Sequence, residues 1–447
     1  MLAARADEGA PLRVAMIGAG KFAAMFLAQA RRTRGLHIVG VADLDVRRAH
    51  DALIATGWPP TQVDAKDVAR AVRAGTTFVT DNAFNLIEDP AIEIVVDATG
   101  SPQAAIGHAL ACLENGKHLV NVTVEADVLA GPLLAERFRR AGLVYSLAYG
   151  DQPALIAEMV DWARATGFDV ICAGKGTKYL PGFEYSTPET VWDHYGLTDE
   201  QARQGGMNAQ MFNSFLDRTK SAIEMAAVAN ACDLTPPPSG LAFPPVAAGE
   251  LAQALKPVSE GGLAAHAGTV EVVSSHYPDG SEVDGDLRWG VYVVFEAPDD
   301  YVRRCFAEYG LATDDSGRFA AMYKPYHLIG LELGISVASV GLRGEATGAP
   351  TGFRGDVVAV AKRPLAAGDR LDGEGGATVN GRLVSAQQSL TEDWLPIGLA
   401  HGTQMRAPVD KDQPLRWSDV DIDDSSPAAA LRRDLEAEAR ARAQRGH

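Results

Sequence analysis

The sequence predicts an α/β protein of three modules. These are a doubly wound parallel-sheet domain, an α+β substrate domain and a small all-β module near the C-terminus. Three observations carry this reading. Short, nearly continuous apolar runs alternate with amphipathic runs over the first 150 residues. From about residue 151 the alternation gives way to longer elements. From Phe353 onward, short strand-like runs are separated by Gly, Asp and Pro turns. The expected boundaries are 1–150, 151–350 and 351–425, with a charged tail at 426–447.

In the first module Leu12–Ile17, His37–Ala42, Ile92–Asp97, His118–Val122 and Leu143–Ala148 read as strands. Their continuous apolar character suits parallel strands buried on both faces. Lys21–Thr33, Val46–Thr56 and Pro102–Asn115 read as the intervening helices. In the last of these, Ile106, Leu110 and Leu113 form one stripe against a sheet, and Asn115-Gly116 ends it. Strand–helix–strand alternation implies right-handed crossovers. In the middle module Gln152–Thr166 reads as a helix, Asp169–Ala173 as a strand and Ala209–Ala231 as one long helix. Thr269–Ser274 and Gly290–Phe295 look antiparallel. The Ala/Arg/Glu-rich end, Pro427–His447, reads as a solvated helix or frayed tail.

Composition narrows the function. The 447 residues are 47% apolar and 22% charged, ordinary globular values. With 41 Lys+Arg against 58 Asp+Glu the net charge is −17. A surface this negative repels phosphate backbones and anionic lipid, so neither nucleic acid nor membrane is expected as a partner. Cys112, Cys172, Cys232 and Cys305 are widely separated and form no metal-ligand or disulfide pattern. No metal site is expected. The start lacks a signal-peptide core and no apolar run approaches a membrane span, so a soluble cytoplasmic protein is expected.

The clearest motif is Gly18-Ala19-Gly20-Lys21-Phe22-Ala23, which follows a strand and opens a helix. Gly18 permits the turn, Gly20 lets backbone approach a pyrophosphate, and Ala23 keeps helix and strand close. Asp43 ends the second strand, where a carboxylate can hold the adenosine ribose hydroxyls and repel a 2′-phosphate. NAD is therefore favoured over NADP, although Arg47 and Arg48 lie close by. Asp97-Ala98-Thr99-Gly100 and Asn121–Asp127 end later strands at the ligand-binding edge. They nominate Thr99, Gly100 and Glu125 for the nicotinamide half.

Candidates for chemistry lie further on. Lys175 sits between Gly174 and Gly176, a pattern that makes more sense beside a ligand oxygen than in packing. Asp217, Lys220 and Glu224 fall at spacings of three and four, so one helix face would carry a lysine held by two carboxylates. Such a lysine can exchange the proton that accompanies hydride transfer at a carbon–oxygen centre. A solvated salt-bridge stripe is the alternative. Lys178, Asn208, Lys324 and His327 are candidates for holding substrate. Asp151 reads as a helix N-cap.

Together the motifs resemble a known group. MIGAGKFA, GVADLD, DATGSP and HALACLENGKHLV resemble the Rossmann domains of Gfo/Idh/MocA proteins and homoserine dehydrogenase. NVTVEADVLAGP, YSLAYGDQP, AGKGTKY, IEMAAVAN and KPYHL extend the likeness. Nearly the whole chain is similar to the type II, homoserine-dehydrogenase-like 1-deoxy-D-xylulose 5-phosphate reductoisomerases. AKRPLAAGDRLD and IGLAHGTQMRAPVDKDQPLRWSDVDI resemble a SAF (β-clip) module. The resemblance implies an NAD(P)-dependent oxidoreductase that isomerises and reduces a ketose phosphate. It also suggests Lys220 as proton donor or acceptor. The departure is Asp43-Leu44-Asp45, where NADPH-using members carry small and basic residues. The rivals are an NAD-dependent dehydrogenase of a sugar acid, polyol or homoserine-like alcohol, and a non-catalytic nucleotide or carbohydrate sensor. The expected partner is a small molecule, possibly a sugar phosphate, and a homo-oligomer is expected.

Overall fold

The computed structural model describes residues 1–205 and 207–445. The last two residues of the expected tail, Gly446 and His447, lie outside the described residues. The chain divides into two compact units. One comprises Met1–Leu155 with His327–Thr351, the other Ile156–Tyr326 with Gly352–His447.

The first unit is built on six strands: β1 (Leu12–Ile17), β2 (Leu36–Ala42), β3 (Phe78–Thr80), β4 (Ile94–Asp97), β5 (His118–Asn121) and β6 (Tyr145–Leu147). All are parallel, in the order β3-β2-β1-β4-β5-β6. This is the doubly wound order, whose switch point between β1 and β4 opens a crevice at the carboxyl edge. β3 was not foreseen, because three residues are too few to display a period. Val14, Met16, Ile38, Val41, Ile94 and Val96 form the sheet's share of the core, with Phe26 and Leu27 packed on them.

The segment 327–351 differs from expectation. The expected boundaries place 327–350 in the middle module and Thr351 in the β module, yet His327–Thr351 completes the first unit. Leu333, the N-cap of the helix Gly334–Arg343, and Val337 and Val340 within it join the same apolar core. Leu147 N donates to Gly348 O at 2.8 Å, and Thr347 N donates to Ser146 Oγ at 3.0 Å. The helix has its apolar stripe covered by this sheet, and contiguity in sequence gave no hint of that.

The second unit has a four-stranded sheet of β7 (Asp169–Thr177), β8 (Thr269–Ser274), β9 (Val291–Glu296) and β10 (Phe319–Lys324), ordered β10-β9-β7-β8. β9 is antiparallel to β7 and β10, but β8 runs parallel to β7. The sheet is therefore mixed, not antiparallel throughout. β7 also continues beyond Ala173, so Lys175 lies within the strand. Successive side chains point to opposite faces. Cys172 joins the cluster of Leu251, Leu255, Tyr292 and Val294, whereas Lys175 points to the helix Thr219–Cys232.

The expected long helix is two helices, Ala209–Leu216 and Thr219–Cys232. Arg218 between them has φ +74°, a left-handed conformation that no helix can continue through. The β module pairs β11 (Gly355–Ala361) with β12 (Val379–Ser385), and β13 (Gln404–Met405) with β14 (Val420–Asp421), both antiparallel. The final helix, Pro427–Arg445, is docked, not frayed: Ala428, Ala429, Leu431 and Leu435 are buried. Arg432 is fully enclosed, donating to Asp356 Oδ1 at 3.1 Å and to Glu436 Oε1 at 2.9 Å. Ser389 Oγ donates to the same Asp356 carboxylate at 2.6 Å. Among the described residues no helix is long and apolar enough to cross a membrane.

Removing one member of a buried ion pair leaves an uncompensated charge, which typically costs about 3–5 kcal/mol. Arg432→Met should destabilise the second unit by that order, read as a lowered urea midpoint. A loss below about 1 kcal/mol, the worth of a surface pair, would mean that the final helix only adheres.

Candidate active site

The glycine loop follows β1. Gly18 has φ +91°, and a Cβ there would meet Ala98 O at 2.6 Å, so both conformation and space demand glycine. A Cβ on Gly20 would meet nothing within 4 Å. Gly20 is thus not required by packing, and the open space before it suits a ligand's approach. It precedes the helix Lys21–Ala30, whose first turn has no side-chain cap and leaves backbone N–H groups for an anion. Ala23 is fully buried. Lys21 is exposed, and Phe22 is half-buried against the core. These residues fit a dinucleotide's pyrophosphate.

Asp43 is more committed than the sequence suggested. Its Oδ2 accepts from Ala19 N at 2.8 Å and its Oδ1 from Asp45 N at 2.9 Å, tying β2 to the glycine loop. Arg48 adds a two-pronged pair, with Nη2 to Oδ1 at 2.6 Å and Nε to Oδ2 at 3.3 Å. The carboxylate is 2% exposed while Arg48 is 59% exposed. A ribose hydroxyl would therefore share Asp43 with a guanidinium.

At the ends of β4 and β5 lies a buried polar chain. Asp97, wholly enclosed, accepts from Thr99 Oγ1 at 2.9 Å, Thr123 Oγ1 at 2.9 Å and His108 Nδ1 at 2.7 Å. Gly100 N donates to Thr123 Oγ1 at 3.2 Å, and Gly100 has φ +67°. Asn121 Nδ2 donates to Thr123 O and to Tyr145 Oη, both at 3.0 Å. Tyr145 Oη in turn donates to Asp127 Oδ1 at 3.0 Å. Burial pushes the Asp127 carboxyl up to about 7, against the opposing pull of the Tyr145 hydroxyl. Glu125, in the first turn of the helix Val124–Arg140, is half-buried near the start of this chain. Thr99 and Gly100 are therefore held by a scaffold. Of its other members, Asn121, Thr123 and Asp127 fall within the phrase Asn121–Asp127, whereas Tyr145 and His108 were not singled out as site residues.

In the second unit Lys175 is buried and forms an ion pair with Glu224, their side chains 5% and 2% exposed. Among the described residues Glu224 is the sole partner of this ammonium. A lysine has three donors, so this one can still give a hydrogen bond to a substrate oxygen. The flanking glycines have another cause than the one expected. A Cβ on Gly174 would meet Glu271 O at 1.7 Å, and one on Gly176 would meet Leu287 O at 1.9 Å. They are packing glycines, and what sets Lys175 apart is its enclosure with Glu224.

The expected grouping of Asp217, Lys220 and Glu224 is not formed. Asp217 precedes the second helix and its Oδ1 accepts from Thr219 N at 3.0 Å. Its Oδ2 accepts from Lys362 Nζ at 2.6 Å, and the lysine also donates to Ser186 O and Gly376 O. Glu224 pairs with Lys175, and Lys220 is half-buried at the start of the helix. The break at Arg218 rotates Asp217 off the helix face, which spacing alone cannot reveal. Lys362 was missed because its partner is 145 residues distant and its neighbourhood reads as an ordinary strand end.

Beside the break, Arg218 lies over the rings of Tyr179 and Phe243, at 4.6 and 5.5 Å, and reaches Glu184. Of the expected substrate residues, Lys178 donates to His194 O at 3.0 Å, and burial lowers its ammonium from the ordinary value. Asn208 is an exposed N-cap, accepting from Met211 N at 3.0 Å. Lys324 ends β10 with the Tyr326 ring 5.8 Å away, in the second unit. His327 belongs to the first, where its Nε2 meets Gln152 Nε2 at 3.1 Å. Asp151 Oδ1 accepts from Gln152 N at 2.9 Å.

Comparison with known proteins bears on these arrangements. Residues 17–143 match the family model of the homoserine dehydrogenase NAD-binding domain. Residues 150–333 match the catalytic domain of oxidoreductase DRL, and residues 356–421 match the SAF domain. A 54-residue stretch is 46% identical to homoserine dehydrogenase of Methylobacillus glycogenes, covering 12% of this chain and 13% of that protein. Among solved structures, myo-inositol dehydrogenase from Lactobacillus casei, in complex with NAD(H) and myo-inositol, is 18% identical with a TM-score of 0.29. That match covers 40% of this chain and 50% of the other. A probable dehydrogenase from Thermotoga maritima is 12% identical with a TM-score of 0.38, covering 75% and 90%. The chain thus spans 13% of the length of the curated relative and half of the inositol dehydrogenase. The chain carries, in order, a segment matching a homoserine-dehydrogenase-type NAD-binding domain, one matching an oxidoreductase catalytic domain and one matching the SAF domain.

Proposed function

We propose that this protein transfers a hydride between a nicotinamide dinucleotide and a small hydroxy or oxo substrate, with Lys175 as the proton-exchanging group. The observation that carries this is the enclosed Lys175–Glu224 pair, within the segment that matches an oxidoreductase catalytic domain. When bound, the nicotinamide supplies or accepts the hydride. Lys175 hydrogen-bonds the substrate oxygen and gives or takes its proton. Glu224 fixes the ammonium, and the enclosure of the pair excludes water that would compete for that proton. Lys220, the first choice by sequence, becomes a secondary contact. The resemblance to type II reductoisomerases makes a ketose phosphate such as 1-deoxy-D-xylulose 5-phosphate the substrate to try first.

For the cofactor, we favour NAD on the strength of Asp43, whose carboxylate faces the glycine loop. Asp43→Ser should narrow or reverse the preference, because it removes the ribose acceptor and frees Arg48 for a 2′-phosphate. Fluorescence titration with NADH and NADPH decides this; tighter NADPH binding by the unaltered protein would sink the NAD assignment.

Positioned acid–base groups contribute about 10²–10⁴-fold to rate. Lys175→Met should lower turnover within that range while dinucleotide affinity stays within about 2-fold, since binding and proton transfer are separable. Glu224→Gln should act in the same direction but less strongly. Lys220→Met should do least. Steady-state kinetics with the ketose phosphate and either dinucleotide provides the measurement. Full turnover by Lys175→Met would return the proton role to Lys220 or His327.

A further inference from the structure

Asp127 is a carboxyl that the proposed chemistry does not use. It lies wholly inside the first unit, in the helix Val124–Arg140. Oδ1 receives the Tyr145 hydroxyl, while Oδ2 is buried with no hydrogen-bond partner. Space has been left for it: a Cβ on Gly131 would come within 2.5 Å of Oδ1. From Asp127 the hydrogen bonds run through Tyr145 and Asn121 to the Thr123 carbonyl. The Thr123 hydroxyl then holds Gly100 and Asp97, at the edge where open α/β sheets take their ligand.

We propose that Asp127 is a proton-gated positioning residue, whose neutral form keeps the Ala98–Gly100 loop closed for the dinucleotide and whose ionised form loosens it. The argument is one of charge and access. A neutral carboxyl tolerates an unpartnered oxygen at modest cost, but an ionised one in the same place requires a donor or water. The titratable groups facing Asp127 are Tyr145 from β6 and, beyond it, Asp97 at the end of β4. His108 pairs with the far oxygen of Asp97. The segment 327–351 presents Pro350 beside Gly131. No lysine or arginine pairs with Asp127 among the described residues. Ionisation would therefore add a second negative charge to a chain that already holds Asp97. The relief is local opening, which lets water reach Oδ2 at the expense of the Tyr145–Asn121–Thr123 chain. Burial places the titration near neutrality, within the range where a cell's pH varies.

The inference rests on the dinucleotide reading of the first unit, so two measurements are needed. In the first, NADH and NADPH affinities are followed by fluorescence from about pH 6 to about pH 8.5. The unaltered protein should weaken by about 5-fold or more, the low end of ordinary site-to-site coupling. Asp127→Asn, fixed in the uncharged form, should bind with little dependence on pH. Tyr145→Phe removes the hydrogen bond that favours ionisation, so its loss of affinity should move to higher pH. In the second, amide exchange at Gly100 is followed by mass spectrometry in cofactor-free protein and corrected for intrinsic pH dependence. Protection should fall with rising pH in the unaltered chain and stay level in Asp127→Asn. If Asp127→Asn keeps the unaltered protein's pH dependence in exchange, the gate is refuted. If neither dinucleotide binds at any pH, the cofactor reading fails, and the exchange experiment still decides whether Asp127 gates the loop.

Discussion

The second unit depends on one buried contact, the pairing of Lys362 with Asp217. Asp217 is completely enclosed at the break between two helices, and Lys362 supplies its cation from the β module. Without that cation the carboxylate would be an uncompensated buried charge, a penalty of several kcal/mol that the fold could escape only by moving the break. With it, Asp217 caps Thr219 N, Arg218 turns through the left-handed region, and the second helix starts at Thr219. That start sets the helix's rotation, and the rotation aims Glu224 at Lys175. Gly381 N donates to Thr219 Oγ1 at 2.8 Å, and Asn213 Nδ2 donates to Gly375 O at 2.8 Å, so the β module grips both sides of the break. The SAF-type segment is accordingly part of the framework that holds the lysine–carboxylate pair, more than a cover laid over it.

The same contact explains where the sequence was readable and where it was not. The parallel sheet, the glycine loop and its acidic partner were legible because they depend on local signals: continuous apolar runs, a turn that needs glycine, a carboxylate at a strand end. Lys175 and Glu224 were each legible as candidates, but their pairing was not. Helical spacing grouped Asp217 and Glu224 with Lys220; Lys220 and Glu224 do share one helix, but Glu224 pairs across to β7, and the break displaces Asp217. The break belongs to a contact made 145 residues away, which no window along the chain contains. The final helix illustrates the same limit. Its composition suggested solvation, because Arg432 and Glu436 are charged, yet both are enclosed, Arg432 pairing with Glu436 and with Asp356. Composition reports the cost of burying a charge and says nothing of a distant partner that offsets it.

Glycine was the least dependable local signal. Gly18, Gly20, Gly174 and Gly176 all flank candidate ligand-binding positions, and each has a different reason to be there. Gly18 answers to a positive φ and a close carbonyl. Gly174 and Gly176 answer to carbonyls of neighbouring chain segments, under 2 Å from where a Cβ would stand. Gly20 alone meets no protein atom. Absence of a packing reason is what makes a glycine informative about a ligand, and only three-dimensional structure supplies that distinction.

Three enclosed carboxylates show how environment divides one chemistry into separate roles. Asp217 meets a cation and several fixed donors, which oppose the upward push of burial on its carboxyl, and it works as a joint. Glu224 meets an ammonium with donors to spare, so its partner can still bind a further oxygen. Asp127 meets one hydroxyl and an empty flank, so burial raises it to about 7 and leaves its charge open to the surroundings. Depth is shared by all three, so the donors around each group are what distinguish them. On the proposed reading, the joint holds the helix break, the paired ammonium exchanges the substrate's proton, and the under-supplied acid responds to proton concentration. By that logic, supplying a donor beside Asp127 would turn it into a second joint, and removing Lys362 would turn Asp217 into a second titrating acid.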